Sequence, residues 1–288
     1  MSLLLHPNTL AQLDAFIDSR SHALLIEGPP GSGKSATIDF VVAQMLAIPQ
    51  NKLDNHSFLL RVQPVDNVIP ISAIREMRQF VRLKTIGDSV LRRGLIIEDA
   101  HRMTIEAQNA LLKLLEEPPS DTIIIFSASS EQKLLRTIYS RAQHITIRPP
   151  DKTSVQEYFG NQGKLAVEIE HAYNLSEGHM GLMNALLNGD DEHPLKTQID
   201  EAKKIVSATA FERLAIVDRL SKQKDQIPGL LYTLQRVYRA VLMQASVKNS
   251  IPNIFRAHAA LERLLDAEQM LKQNPNPKLL LTDLFLGL

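Results

Sequence analysis

Gly28-Pro29-Pro30-Gly31-Ser32-Gly33-Lys34-Ser35 fits the spacing G-x-x-x-x-G-K-[ST] and follows at once on the apolar run Ala23 to Ile26. A loop between a strand and a helix aims consecutive backbone N–H groups, aided by the helix N-terminus, at one point where polyphosphate oxygens can settle. The glycines permit close backbone approach, Lys34 carries positive charge towards the terminal phosphates, and the Ser35 hydroxyl is a ligand for Mg²⁺. Ala36 to Met45 reads as helix, so these eight residues together with Ala36 form the expected nucleotide cradle. A glycine-rich turn that only caps a helix is the alternative.

On either side of this loop the first half of the chain alternates strand and helix signals. Ala23–Glu27, Phe58–Val62, Gly94–Ile97, Thr122–Ser127 and His144–Ile147 read as strands, several of them continuous apolar runs of the kind buried in parallel sheets. Ile74, Met77 and Val81 recur at helical spacing, as do Ala107, Ala110, Leu111, Leu114 and Leu115 after a candidate N-cap at Thr104. Pro118-Pro119 stops that helix, because neither proline can continue it. The pattern predicts an α/β fold, a doubly wound P-loop domain with a parallel sheet over residues 1–150.

The remainder reads as helix. Pro149-Pro150 breaks the chain, and Thr153 with Gln156 has the form of a capping box. Residues 165–187 fit short helices with a stop at Gly178, and the polar stretch Asn188–Pro194 reads as a linker. Amphipathic segments follow, with Leu230, Leu234, Val237, Tyr238 and Val241 on one stripe and Leu261, Leu264, Leu265 and Leu271 on another, stripes that usually form core. The expected division is therefore a P-loop domain over 1–150, a small helical lid over 151–195 and an all-α collar over 196–288.

Composition narrows the function classes. The 288 residues contain no cysteine, which excludes disulfides and thiolate metal sites. Lysine plus arginine equals aspartate plus glutamate at 32 each, so the whole chain has no basic footprint for nucleic acid. Met1 to His6 does not read as a secretory leader and no run reaches the roughly 20 apolar residues of a membrane helix, so the cytoplasm is the expected location.

A phosphate loop needs a second, acidic element at the tip of a neighbouring strand. Leu95-Ile96-Ile97-Glu98-Asp99 supplies one, in a form that resembles a Walker B motif with its acidic pair in reversed order. Glu98 falls in the metal-coordinating slot beside Ser35, and Asp99, shorter by a methylene, in the water-activating slot. A general base must come within about 2.6–3.2 Å of its proton, so binding can survive where hydrolysis suffers. A pair of solvated carboxylates at a strand end is the plainer alternative.

The flanking residues carry a family resemblance. Glu98-Asp99-Ala100-His101-Arg102-Met103-Thr104, the run Asn109 to Pro119, residues Thr122 to Ser129 and Thr137-Ile138-Tyr139-Ser140-Arg141-Ala142-Gln143 resemble bacterial clamp-loader subunits of the AAA+ ATPases. The likeness is greatest to the delta-prime type of the DNA polymerase III clamp loader, with gamma/tau as the near relative. It extends from His6 to Gln143 and resumes weakly at Asn274 to Leu281. It implies bound ATP or ADP with Mg²⁺ held by Ser35 and Glu98, and a first sensor at Ser129. Ser140-Arg141-Ala142 matches the Ser-Arg-Cys box, which implies that Arg141 reaches the γ-phosphate of a neighbouring subunit's ATP. Without the resemblance, Arg141 reads as a surface arginine paired with a carboxylate.

Departures from the family pattern weaken a motor reading. The four-cysteine zinc module is absent, the segment Pro49–His56 is short and polar, and no zinc is expected. The stretch Gly178-His179-Met180-Gly181-Leu182-Met183-Asn184-Ala185 lacks the sensor arginine of ATP-hydrolysing relatives. His101 reads as a residue at a helix start rather than a base. The implied partners are gamma/tau-type ATPase subunits and a delta subunit, and through the complex a sliding clamp and primer-template DNA. A gamma-like motor that hydrolyses ATP itself and a stand-alone P-loop kinase of small molecules are the competing readings.

Overall fold

The computed structural model describes residues 3–19, 21–53, 56–83, 91–129, 134–189 and 194–288. The chain divides into two compact units, one of residues 1–151 with 179–181 and one of residues 152–178 with 182–288. The residues expected as lid and collar thus fall mainly in the second unit.

The first unit is built on one parallel sheet. Its strands are β1 (Ala23–Glu27), β2 (Leu59–Val62), β3 (Arg93–Ile97), β4 (Thr122–Ala128) and β5 (Gln143–Thr146), in the order β2-β3-β4-β1-β5. Every pairing is parallel, for example Leu25↔Phe126 and Ile97↔Phe126 on the two sides of β4. This is the α/β architecture that the motifs predict, a parallel sheet with the glycine-rich loop after its first strand. Alternate side chains of each strand point to opposite faces, and both faces are covered. Leu25, Leu95, Ile97, Ile124 and Phe126 pack with α3 (Ile71–Phe80) and α4 (Ile105–Glu116). Leu24, Ile26, Ile96, Ile123 and Ile125 pack with α1 (Pro7–Ser19) and α2 (Lys34–Leu46). Double coverage explains why the strands read as unbroken apolar runs.

Local signals work where they are expected. The Thr104 hydroxyl accepts a hydrogen bond from the Ala107 N–H at 3.2 Å and caps α4, which ends at Glu116 before the prolines. Strand ends shift by a residue, the usual uncertainty where a ladder frays: β2 starts at Leu59 rather than Phe58, and β5 runs from Gln143 to Thr146 rather than from His144 to Ile147.

The second unit is helical: α6 (Lys152–Gly160), α7 (Ala166–Ser176), α8 (Met180–Asn188, whose first two residues cluster with the first unit), α9 (Pro194–Ser207), α10 (Ala210–Ser221), α11 (Ile227–Val247), α12 (Ile251–Leu271) and α13 (Pro277–Gly287), with the short α5 (Arg136–Tyr139) belonging to the first unit. Thr153 is not a cap, because α6 already starts at Lys152. Asp151, a side chain that caps helices at least as well, stands just before it. Gly178 has φ +76° and marks the expected stop after α7. Residues 190–193 of the expected linker lie outside the described residues, and its ends coincide with the end of α8 and the start of α9. Leu230, Leu234, Val237, Tyr238 and Leu264 are buried in the helical core. Leu265 is 47% exposed and is not core, because its neighbour Leu264 takes the inward position on α12.

Asp218 on α10 ties α13 to this core. Its carboxylate accepts from Lys278 Nζ at 2.8 Å and pairs with Lys222 Nζ at 3.0 Å. The hydrogen bond from Lys278 and then that from Lys222 hold its pKa down to about 2. A carboxyl depressed in the folded state contributes stability that is full above its unfolded pKa and is lost as pH falls through the folded value. The Asp218 carboxyl carbon is therefore expected to titrate near 2 by NMR, and in Lys278→Met to move up towards about 3.9. An unshifted titration in that variant would remove Lys278 as the cause.

Candidate functional site

The loop at the end of β1 has the form of a phosphate cradle. Gly31 and Gly33 adopt φ +84° and +92°, a left-handed backbone that side chains disfavour. The Ser32 N–H donates to the Pro29 carbonyl at 3.1 Å and closes the turn, while the Gly28 N–H donates to Ala128 at the end of β4. A Cβ on Gly28 would stand 2.6 Å from Ser32 Oγ, so a side chain there would force the Ser32 hydroxyl to move. No side chain caps α2, whose first paired N–H is that of Thr37, bonded to the Gly33 carbonyl at 3.0 Å. The N–H groups before it are the orphan donors of a helix N-terminus. Ser32 Oγ is buried without a hydrogen-bond partner among the described residues. These donors fit a phosphate group.

Lys34 is folded back along the loop, with Nζ donating to the Gly28 carbonyl at 2.8 Å and the Pro29 carbonyl at 3.2 Å. Burial pushes its pKa below the ordinary lysine value, against the opposing charges of Asp99 and Glu98. Pro29 and Pro30 line the turn, and Ala36 lies exposed in the first turn of α2.

The acidic pair sits where strand order brings it. β3 lies one strand away from β1, with β4 between them, so Glu98 reaches Ser35: the Ser35 hydroxyl donates to Glu98 Oε2 at 2.8 Å. The other oxygen, Oε1, is paired with Arg61. A second nitrogen of the same guanidinium pairs with Asp39 of α2. Burial works against the Arg61 charge, but its hydrogen bonds to Asp39 and Glu98 outweigh that and raise its pKa above the ordinary arginine value. Asp99 is in the left-handed region at φ +48°, with its carboxylate 3.9 Å from Arg102 Nε. The two oxygen donors expected to hold Mg²⁺, Ser35 and Glu98, are thus bonded to each other, and Glu98 is already matched by a guanidinium. A hydroxyl that donates to a carboxylate keeps its oxygen lone pairs, so Ser35 and Glu98 would fit Mg²⁺ beside a bound phosphate, with Arg61 competing for Glu98. Among the described residues no group of three or more histidines, aspartates or glutamates is placed to hold a metal.

Three further features escaped sequence reasoning. Arg61 stands inside an apolar strand, and a lone charge in a parallel strand was the signal that could have exposed it. His101, in a short 3-10 turn, accepts from the Ser129 N–H at 3.2 Å through Nδ1 and so fixes the backbone of the expected sensor. The stretch without a sensor arginine meets the loop through backbone instead: a Cβ on Gly181 would come within 2.8 Å of the Gly31 carbonyl oxygen and 3.1 Å of the Gly33 nitrogen.

Arg141 lies at the surface just after α5, with 35% of its side chain exposed. Its guanidinium donates to the Thr137 carbonyl at 3.0 Å and to Ser140 Oγ at 3.2 Å, and pairs with Glu116 Oε1 at 2.9 Å. Pairing with a carboxylate is what the plain reading of the residue expects, and none of these partners belongs to the phosphate loop.

Residues 6–151, just over half of the chain, match the family model described as "DNA polymerase III, delta subunit". The chain belongs to that family. It is 25% identical over 252 residues to DNA polymerase III subunit delta' of Escherichia coli K12, which covers 81% of this chain and 73% of that protein. It is 27% identical over 183 residues to DNA polymerase III subunit tau of Bacillus subtilis 168, covering 59% of this chain and 31% of that one. A crystal structure of a gamma subunit-related protein from Thermotoga maritima superposes with a TM-score of 0.57 over 95% of this chain and 97% of its own, at 21% identity, a likeness of fold. The clamp-loader resemblance of the motifs therefore holds at the level of the family. Among the described residues no helix is long and apolar enough to cross a membrane.

Proposed function

We propose that this chain is a clamp-loader subunit of the delta-prime type that binds ATP or ADP through Gly28 to Ala36, hydrolyses it slowly or not at all, and offers Arg141 to an adjacent ATPase subunit. The observation that carries this reading is an intact phosphate cradle beside an acidic pair whose first member, Glu98, is already engaged by Ser35 and Arg61. A carboxylate held by a guanidinium must give up that partner before it can take a proton from water. The partners are gamma/tau-type ATPase subunits and a delta subunit, and through the complex a sliding clamp and primer-template DNA. The missing lid arginine and the reversed acidic order count against a gamma-like motor.

Titration of the isolated chain with ADP and ATP tests the binding half. In Lys34→Ala the affinity is expected to fall roughly tenfold to a hundredfold, the loss of one charge-assisted bond to phosphate. Unaltered affinity would remove the loop from the site. Steady-state hydrolysis by the isolated chain tests the other half: turnover of about one per second or faster, the ordinary enzyme range, would favour the motor. Mass measurement of the native complex would show whether gamma/tau-type subunits accompany the chain.

A further inference from the structure

We propose that Tyr139 is the positioning residue of Arg141: it ties the turn that carries the arginine to the last residue before the phosphate loop. The inference rests on the reading of Arg141 as a side chain offered to a neighbouring subunit and names what orients it.

Arg141 follows α5, a single helical turn of four residues of which Ile138 is the buried one. One apolar anchor resists withdrawal but not rotation about itself, because hydrophobic contact has no direction. Direction comes from hydrogen bonds at the two ends of the turn. At its start the Leu135 N–H donates to Gln108 Oε1 on α4 at 2.8 Å. At its end Tyr139 carries two ties. The Tyr139 hydroxyl donates to an oxygen of Glu27, the closing residue of β1 and 112 positions earlier in the chain. The Tyr139 carbonyl accepts from Nε2 of His144 on β5, and the two rings stand edge to face with centroids 4.1 Å apart. β1 and β5 are paired through Leu25↔His144 and Glu27↔Thr146, so both ties reach the same pair of strands. Arg141 lies two residues beyond Tyr139 and is bonded back onto the turn, its N–H to the Ile138 carbonyl at 3.1 Å and its guanidinium to the Thr137 carbonyl at 3.0 Å. The arginine therefore moves with the turn, and Tyr139 sets how the turn is rotated. Gly28, next after Glu27, opens the phosphate loop. One residue thus borders the chain's own cradle and steadies the arginine offered to the next. Orientation matters at such a site, because a misplacement of about 1 Å can cost on the order of a hundredfold in rate.

The test is single-turnover ATP hydrolysis at the site Arg141 faces, in the complex reconstituted from full chains. Tyr139→Phe deletes only the hydroxyl and is expected to slow the step about tenfold or more, with the neighbour's affinity for ATP held within about twofold. Glu27→Ala should slow it as much, and the two changes together no more than either, the mark of one shared bond. In an Arg141→Ala background Tyr139→Phe should have no further effect, whereas a residue that only supports the fold would add its loss there. With Arg141→Ala slow, a Tyr139→Phe complex as fast as its parent, or a further loss in the Arg141→Ala background, would overturn the inference and leave the trans-acting arginine standing. Unchanged hydrolysis in Arg141→Ala itself would overturn that arginine's role, and the inference with it. Should Tyr139→Phe fail to assemble, Glu27→Ala, which leaves the tyrosine ring against His144, carries the same expectations and the same grounds for rejection.

Discussion

Replacing Arg141 with alanine is expected to slow ATP hydrolysis at the neighbouring site of the assembled clamp loader by roughly 10³ to 10⁵-fold, the usual contribution of an arginine supplied in trans. The guanidinium forks onto phosphate oxygens and meets the charge that builds as the γ-phosphoryl group departs. Its present partner does not forbid this. A surface pair such as Arg141 with Glu116, half of whose carboxylate side chain is exposed, is worth about 0–1 kcal/mol, so exchanging Glu116 for a phosphate costs little. The same weakness predicts that Arg141→Ala leaves the melting temperature of the isolated chain almost unmoved. Arg141→Lys should rescue little, because an ammonium lacks the fork. The measurement is single-turnover hydrolysis in the reconstituted complex, since bulk turnover falls only by the share of the site that Arg141 faces. Unchanged hydrolysis would end the trans-acting role and leave Arg141 as a surface ion pair.

The second large effect concerns stability. Arg93 opens β3 and Asp121 precedes β4, and both are buried. Arg93 donates through Nε at 3.2 Å and Nη2 at 3.0 Å to one Asp121 oxygen, and through Nη1 to the Phe80 carbonyl at 3.1 Å. The other Asp121 oxygen accepts from the Thr122 hydroxyl. Asp121→Ala would strand a guanidinium away from water and is expected to cost about 3–5 kcal/mol. Exchanging both partners for apolar residues, as in Arg93→Met with Asp121→Leu, removes the stranded charge and should recover most of that loss. Urea unfolding of the three chains decides the matter. A double variant as unstable as Asp121→Ala would mean that the pair holds β3 to β4 by more than mutual compensation of charge.

Much of the first unit was legible because its signals are short-range. The strand–loop–helix of residues 23–46, the Thr104 cap and the stop at Pro118-Pro119 each depend on residues within a few positions of one another. The lapses have the same origin. Thr153 has the form of a cap although α6 already begins at Lys152, and Leu264 and Leu265 are equally apolar neighbours; only the folded chain shows where the helix begins and which leucine faces inward.

The chemistry of the site depended on distance along the chain. From the amino acids alone came a phosphate cradle, an acidic strand end and an arginine in a Ser-Arg-Ala box, because each is a contiguous motif whose backbone geometry is local. Tertiary structure alone decided that Arg61 meets both Glu98 and Asp39, that Gly181 lies against Gly31 and Gly33, and that Arg141 rests on Glu116. Those meetings follow from strand order and helix packing, which bring together residues 22 to 150 positions apart, and no local pattern records which of them share a cleft.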